Sequence, residues 1–209
     1  MPQTPNSSLG VHFLDTGPLL CLGGSNRLAE MFDAGYLSLA RVVEAVVQEI
    51  RRKATEPPPQ RGTGVRKAAR AVQGRYRATL LTQAIPSSVA ESSELCKIRD
   101  TLSTLAQEDR PNKGLHPSEN LGEAECIHWA VLQSADLVTC DAVARKAAHQ
   151  FYVTCWSFVD VVRVALADQT GVRRNEAYRD LLTLERSDIN TGEHIYSQLD
   201  LDLANLKAG

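Results

Sequence analysis

The sequence predicts an α/β protein, a three-layer α/β/α sandwich built around a central, mostly parallel sheet. Three observations lead there. Short apolar runs at 11–14, 37–40, 137–140 and 152–156 are bounded by stretches with helical periodicity. Strands that alternate with helices need crossover connections, and these favour parallel pairing with helices on both faces. The 209 residues are 43% hydrophobic and 23% charged, enough to bury one core of this kind and too apolar for a disordered or fibrous chain.

Residues 11–14 are nearly continuously apolar and stop at Asp15, followed by Thr16, Gly17 and Pro18. A buried strand that turns directly into a helix fits, since Pro suits a first helical turn and Asp can accept from its orphan amides. Residues 19–32 read as helix, with Gly23 and Gly24 a point of interruption, and 37–40 as a second strand. Residues 41–53 form an amphipathic helix with Val43, Val46, Val47 and Ile50 on one stripe. The string TEPPPQRGTG then breaks the pattern as a loop or hinge. Helices are predicted over 65–83 and 91–108, with a connector at 85–88 and a stop at Pro111, Gly114 and Pro117. A helix over 122–134, a strand over 137–140, a helix over 141–150, a strand over 152–156 and a helix over 161–167 complete the order. The expected organisation is a single domain over 1–209, with a basic inserted helical segment at about 54–95 and a helical C-terminal tail at about 160–209.

The net charge of −2 conceals an asymmetry. Residues 51–77 carry nine basic side chains against one acid, Glu56, a local charge of +8, while the remainder holds 14 basic and 24 acidic residues. Such a segment is either a solvated helix face or the contact for an anionic partner. The five cysteines are widely spaced without a C-x-x-C pair, so neither a disulfide framework nor a zinc site is expected. The opening MPQTPNSSLG lacks the basic start and apolar run of a secretory signal, and no stretch has the apolar length of a membrane span. A cytoplasmic setting without membrane attachment is therefore expected.

In open parallel sheets, ligands bind beyond the carboxyl ends of strands, which draws attention to Asp15 after VHFL and Asp141 after LVTC. The plainer reading is that each caps the following helix. Glutamates could join them. Glu49 and Glu44 flank the apolar stripe of their helix on opposite sides, and spacing does not choose between them. Glu123 shares a face with Ile127 and Ala130 at a helix N-terminus, where the dipole favours an anion, whereas Glu125 points roughly opposite. For either glutamate the plainer reading is a solvated flank carboxylate.

The strings LDTGPLL, VVQEI, LGEAECIHWA and ADLVTCDAVARKAA, in this order, resemble the PIN domain family of ribonucleases, in particular its compact toxin-type members. The likeness spans residues 11 to about 150 and departs from the family at about 54–95, which is longer and more basic. It implies an acidic cluster of Asp15, Glu49, Glu123 and Asp141, with Asp15, Glu123 and Asp141 as metal ligands and Glu49 ligating or positioning the attacking water. It also implies a metal-dependent ribonuclease, the toxin of a type II toxin–antitoxin pair, acting on RNA and partnered by a cognate antitoxin, with a homodimer as one assembly.

Four carboxylates in one pocket repel one another, and a divalent cation removes that cost; an all-oxygen donor set suits Mg²⁺ (or Mn²⁺) and phosphodiester hydrolysis. Thr16 and Thr139 neighbour the two aspartates and can orient them by hydroxyl hydrogen bonds. Arg145, four residues after Asp141, is placed for an ion pair with it or for a phosphate contact. Arg61, Arg66, Lys67, Arg70, Arg75 and Arg77 are candidates for RNA or an acidic protein partner. Tyr76 is the only aromatic residue among them, so base stacking in that stretch is not expected. Two competing functions are a housekeeping RNA-processing nuclease and an inactive binding module of the same fold. A haloacid-dehalogenase-like phosphohydrolase would need a second Asp where this chain has Gly17.

Overall fold

Phe13 and Leu14 are fully buried in β1 (His12–Leu14), which stands inside the sheet. The computed structural model describes residues 9–55, 63–87, 92–109, 120–167 and 171–207. In it, β1 pairs in parallel with β2 (Ala40–Arg41) on one side and β3 (Asp136–Val138) on the other, and β3 pairs in parallel with β4 (Cys155–Trp156). The strand order is β2-β1-β3-β4, with Phe13 opposite both Arg41 and Leu137. Four strands running the same way cannot be joined by hairpins, so every connection is helical. α1 (Thr16–Gly24) and α2 (Asn26–Gly35) join β1 to β2. α3 (Glu44–Thr55), α4 (Thr63–Tyr76), α5 (Ser93–Asp109) and α6 (Leu121–Gln133) lie between β2 and β3. α7 (Ala142–Gln150) links β3 to β4, and α8 (Phe158–Ala165) and α9 (Gly171–Arg186) follow. The protein is α/β, with the parallel sheet flanked by helices as a three-layer sandwich.

The strands are shorter than the apolar runs suggest. Residues 37–39 form a 3₁₀ turn and only Ala40 and Arg41 pair, because Tyr36 N–H still donates to Phe32 O and spends the intervening residues on leaving α2. Of 152–156, only Cys155 and Trp156 pair as strand. Tyr152 adopts a left-handed conformation (φ 59°), and the N–H groups of Tyr152 and Val153 close α7 by donating to His149 O and Ala148 O. The Gly23–Gly24 interruption falls at Ser25, whose hydroxyl accepts from Leu28 N–H and starts α2. Of the segment TEPPPQRGTG, Thr55 ends α3 and Thr63 and Gly64 begin α4, while residues 56–62, the stop at Pro111, Gly114 and Pro117, and most of the polar opening stretch lie outside the described residues.

The buried apolar residues form one cluster that runs from Phe13 and Leu14 through Val46, Ile50, Val72, Ile98, Ile127, Val159 and Leu181. α4, the basic helix, belongs to it: Ala68, Ala69, Val72 and Tyr76 are buried where α4 packs on α1 and α3, and Arg66, Lys67 and Arg70 occupy its remaining faces. At Arg77–Leu81 the helix widens into a π turn, and residue 85 then returns to the sheet edge, where Ile85 N–H donates to Val42 O at 2.9 Å and Ile85 O accepts from Glu44 N–H at 2.9 Å. That return fixes the start of α3. Glu125 contributes from α6: it is buried, accepts from Ser87 Oγ at 3.3 Å and from the Ala45 N–H in the first turn of α3, and burial raises its carboxyl above the ordinary value.

Candidate active site

Asp15 is almost wholly buried, 3% exposed, at the point where β1 becomes α1. Its Oδ1 accepts from Thr16 N–H at 2.6 Å and its Oδ2 from Thr139 Oγ1 at 2.8 Å. Asp141 caps α7 in the same way, with Oδ1 accepting from Val143 and Ala144 N–H at 2.6 and 2.9 Å. Each aspartate is therefore a helix cap, as the plainer reading requires. Because β1 and β3 are neighbours, the two caps also lie next to each other. Thr139 Oγ1 joins them, donating to Asp15 and accepting from Asp141 N–H at 3.1 Å.

Glu49 comes from α3. Its Oε2 accepts from Thr16 Oγ1 at 2.6 Å and its Oε1 lies 3.2 Å from Lys53 Nζ. Thr16 thus serves two acids, Asp15 by its backbone and Glu49 by its hydroxyl. Glu44 faces elsewhere, toward Gln48 and the Ser87 N–H. Glu123 enters from the first turn of α6, partly buried beside Glu49. Gly122 allows this approach: a β-carbon there would stand 3.2 Å from Val46 Cγ2 and 3.8 Å from Glu49 Oε2.

The electrostatics follow from burial and crowding. Burial pushes Asp15 up to about 7, the Glu49 charge adds to this, the Thr139 and Thr16 hydrogen bonds oppose it, and Asp141 adds a smaller push. Burial also holds Glu123 well above the ordinary carboxylate range, reinforced by Asp15, Glu49 and Asp141. Four carboxylates therefore share one electrostatic neighbourhood at the carboxyl end of the sheet. The buried Cys126 thiol beside them donates to Leu14 O, and burial and these acids keep it protonated. It offers no thiolate to bind a soft metal.

No family model, curated protein or solved structure matches this chain. The site is therefore read from its own geometry. Among the described residues, no three His, Cys, Asp or Glu side chains already stand as a metal cage. Asp15, Glu49 and Asp141 each give at least one oxygen to a protein donor. The donor set nonetheless matches a hard dication in kind: carboxylate oxygens only, two of them on groups whose protonation is raised by burial and mutual repulsion.

The surrounding cations divide by role. The Arg145 guanidinium turns to backbone carbonyls rather than to the Asp141 carboxylate, bridging Thr139 O at 3.2 Å and Gly192 O at 3.1 Å. Arg70 Nε donates to Ala54 O at the end of α3, and Arg75 pairs with Asp33 at 2.8 Å. Lys67 and Arg77 are exposed and Arg66 is partly so; Arg61 lies outside the described residues. No motif or periodicity marks residues 189–194 as a C-terminal strap that reaches this end of the sheet. Asn190 Nδ2 donates to Cys140 O at 2.9 Å, and Cys21 Sγ donates to Asn190 O. Gly-bearing turns look alike in sequence, and only the packing against Cys140 distinguishes this one.

Proposed function

We propose that this protein is a Mg²⁺- or Mn²⁺-dependent endoribonuclease, the toxin of a type II toxin–antitoxin pair acting in the cytoplasm. The observation that carries the reading is the convergence of Asp15, Glu49, Glu123 and Asp141 at the carboxyl end of a parallel sheet, with Asp15 raised by burial and the Glu49 charge and Glu123 raised by burial and the charges of Asp15 and Glu49. The resemblance of the four motifs to PIN ribonucleases points the same way. Asp15, Glu123 and Asp141 would hold the ion. When bound, it supplies Lewis-acid chemistry, lowering the pKa of water and offsetting charge on phosphate and leaving oxygens.

The chain's own residues do the remainder. Thr139 and the amides of α1 and α7 fix Asp15 and Asp141, so their orientation needs no reorganisation during turnover. Glu49, held through Oε2 by Thr16 and through Oε1 by Lys53, positions the attacking water and takes its proton as oxygen adds to phosphorus and the P–O3′ bond breaks. Lys67 and Arg66 on α4 supply sequence-independent attraction for the RNA backbone. The cognate antitoxin is the protein partner, and a homodimer is the assembly to test for.

Purified protein is expected to cleave RNA with Mg²⁺ or Mn²⁺ and to lose activity in EDTA or on Asp15→Asn. Metal-independent cleavage, or an active Asp15→Asn variant, rejects the reading. Expression is expected to arrest growth, with relief by the product of a neighbouring reading frame separating a toxin from a housekeeping nuclease.

A further inference from the structure

The turn that carries Asp141 leaves the sheet as soon as β3 ends. Thr139 N–H still donates to Trp156 O at 3.0 Å, but β4 stops at Trp156 and β1 at Leu14, so the sheet supplies no donor for the carbonyls of Thr139 and Cys140. Cys140 is buried, and a buried carbonyl without a donor is costly. Two side chains meet the need instead. Arg145 Nη1 donates to Thr139 O at 3.2 Å, and Asn190 Nδ2, from the C-terminal strap, donates to Cys140 O at 2.9 Å.

These two donors are themselves held. Asn190 Oδ1 accepts from Gly192 N–H at 2.8 Å, closing a tight turn around its own side chain, and Asn190 O accepts from Cys21 Sγ at 3.3 Å. The second arm of Arg145 donates to Gly192 O at 3.1 Å, so both struts end on the same strap. The backbones are in contact as well. Gly192 sits at φ +88°, where a β-carbon would stand 3.1 Å from Cys140 Cα, and from the other side a β-carbon on Gly17 of α1 would stand 2.9 Å from Cys140 Cβ. Cys140 is thus clamped between the helix that follows Asp15 and the strap. The residues on either side of it are those of the site: Thr139 Oγ1 donates to Asp15 and accepts from Asp141 N–H, and the Asp141 carboxylate caps α7.

We propose that Asn190, with Arg145 as the second strut, is a positioning residue for Asp141: by holding the Thr139–Asp141 turn it fixes the place of the Asp141 carboxylate beside Asp15. It acts through the backbone of the turn and touches no reacting atom, and it lies 50 residues beyond Cys140 in the sequence. Asp141 serves an ion only on the metal-dependent ribonuclease reading, and the proposal rests on that reading. Groups that orient a metal ligand without touching the metal alter its affinity by about 10–100-fold.

The test sets Asn190→Ser beside Asn190→Ala in the full chain. A serine hydroxyl can still accept from Gly192 N–H and so keep the strap's turn, but it is too short to reach Cys140 O, and it adds no charge to the site. In metal-free buffer, NMR amide exchange at Val143 and Ala144, the two N–H groups that Asp141 caps, is expected to speed up in both variants while β1 and β3 stay as protected as in wild type. Mn²⁺ affinity, read from the EPR signal of the free ion, is expected to fall about ten-fold in both. RNA affinity in EDTA is expected to be unchanged, so the loss in cleavage falls on kcat rather than KM. Arg145→Lys keeps the charge but spans one carbonyl instead of two, and a smaller shift in the same direction is expected. Wild-type exchange at Val143 and Ala144 in Asn190→Ser, or wild-type Mn²⁺ affinity, overturns the proposal and leaves Asn190 as the builder of the strap's turn. Protection lost equally across β1 and β3 overturns it too, since Asn190 then supports the fold at large. If the wild-type chain neither binds Mn²⁺ nor cleaves RNA while Asn190→Ser speeds exchange at Val143 and Ala144, the ribonuclease reading alone is rejected. Metal-dependent cleavage with unchanged exchange rejects the positioning role alone.

Discussion

Asp15 concentrates the cost of the site. It is buried, it has no cationic partner among the described residues, and its two hydrogen bonds only partly offset burial and the charge of Glu49. A ligand that binds only the folded state raises the melting temperature. Saturating Mn²⁺ is therefore expected to raise the melting temperature of the wild-type chain and to have little effect on Asp15→Asn, with thermal-shift scans against metal concentration as the check. His12 offers a pH effect at the other end of β1. Its ring is fully buried; burial drops its pKa to about 4, the hydrogen bond to Gly10 O opposes this, and Arg41 adds to the drop. The unfolded chain, with an ordinary value of 6.5, thus binds a proton that the folded chain refuses between those two pH values. Stability from this residue is complete above about pH 6.5 and is lost as pH falls toward 4, by a total on the order of 3 kcal/mol. Urea titrations of wild type and His12→Leu should diverge in this direction across that window, and parallel curves would count against the buried neutral imidazole.

At the level of the element, α4 shows that a run of positive charge is not one function. Arg70 holds the last turn of α3 through Ala54 O, while Arg75 and the Tyr76 hydroxyl grip Asp33 of α2 at 2.8 and 2.9 Å. Tyr76→Phe removes a bond from a buried ring and leaves Asp33 one donor short, so a loss of about 1 kcal/mol in urea denaturation is expected, with no change in RNA affinity. Lys67 is exposed and Arg66 is partly so, with Nε buried and unpartnered. The double variant Arg66→Gln, Lys67→Gln is expected to weaken RNA binding and reduce the salt slope by between one and two, since each phosphate contact contributes about 0.7 for single strands. An unchanged slope assigns this face to a protein partner. The division was not legible in the sequence, because periodicity identified the helix but not what lies under each cation. Legibility followed the same rule elsewhere. The alternating runs sufficed for the parallel sheet, and the strand-end aspartates could be located from Pro18 and the apolar runs before them. Periodicity left Glu44 and Glu49 equivalent, and the contact that distinguishes them, Thr16 Oγ1 to Glu49, joins residues 33 apart.

Across the whole molecule, the C-terminal tail is pinned by a buried charge. Arg163 on α8 is 1% exposed, and its guanidinium binds Asp160 at 2.8 Å, both oxygens of Glu193 at 2.8 and 3.0 Å, and Asp200 O at 2.7 Å. Lys207 adds a second cation to Glu193 and donates its N–H to Asp160. Burial alone would raise Glu193, but Arg163 and Lys207 hold it below its ordinary value. Glu193 adjoins Gly192, the strap residue bound by Arg145, so one buried arginine fixes the tail and, through it, the strap that holds Cys140 next to Asp141. Taking away one partner of such a cluster leaves the others charged and dry, a loss on the order of 3–5 kcal/mol, whereas replacing all of them with apolar groups costs far less. Arg163→Met is accordingly expected to destabilise the chain by that amount in urea and to speed amide exchange over 189–207 well before β1 and β3. Adding Asp160→Leu and Glu193→Met to it should recover much of the stability, although Lys207 then loses its partners. If Arg163→Met alone is as stable as wild type, or exchange rises uniformly through the sheet, the tail is held by its apolar anchors Ile189, Ile195 and Leu201 rather than by this charge cluster.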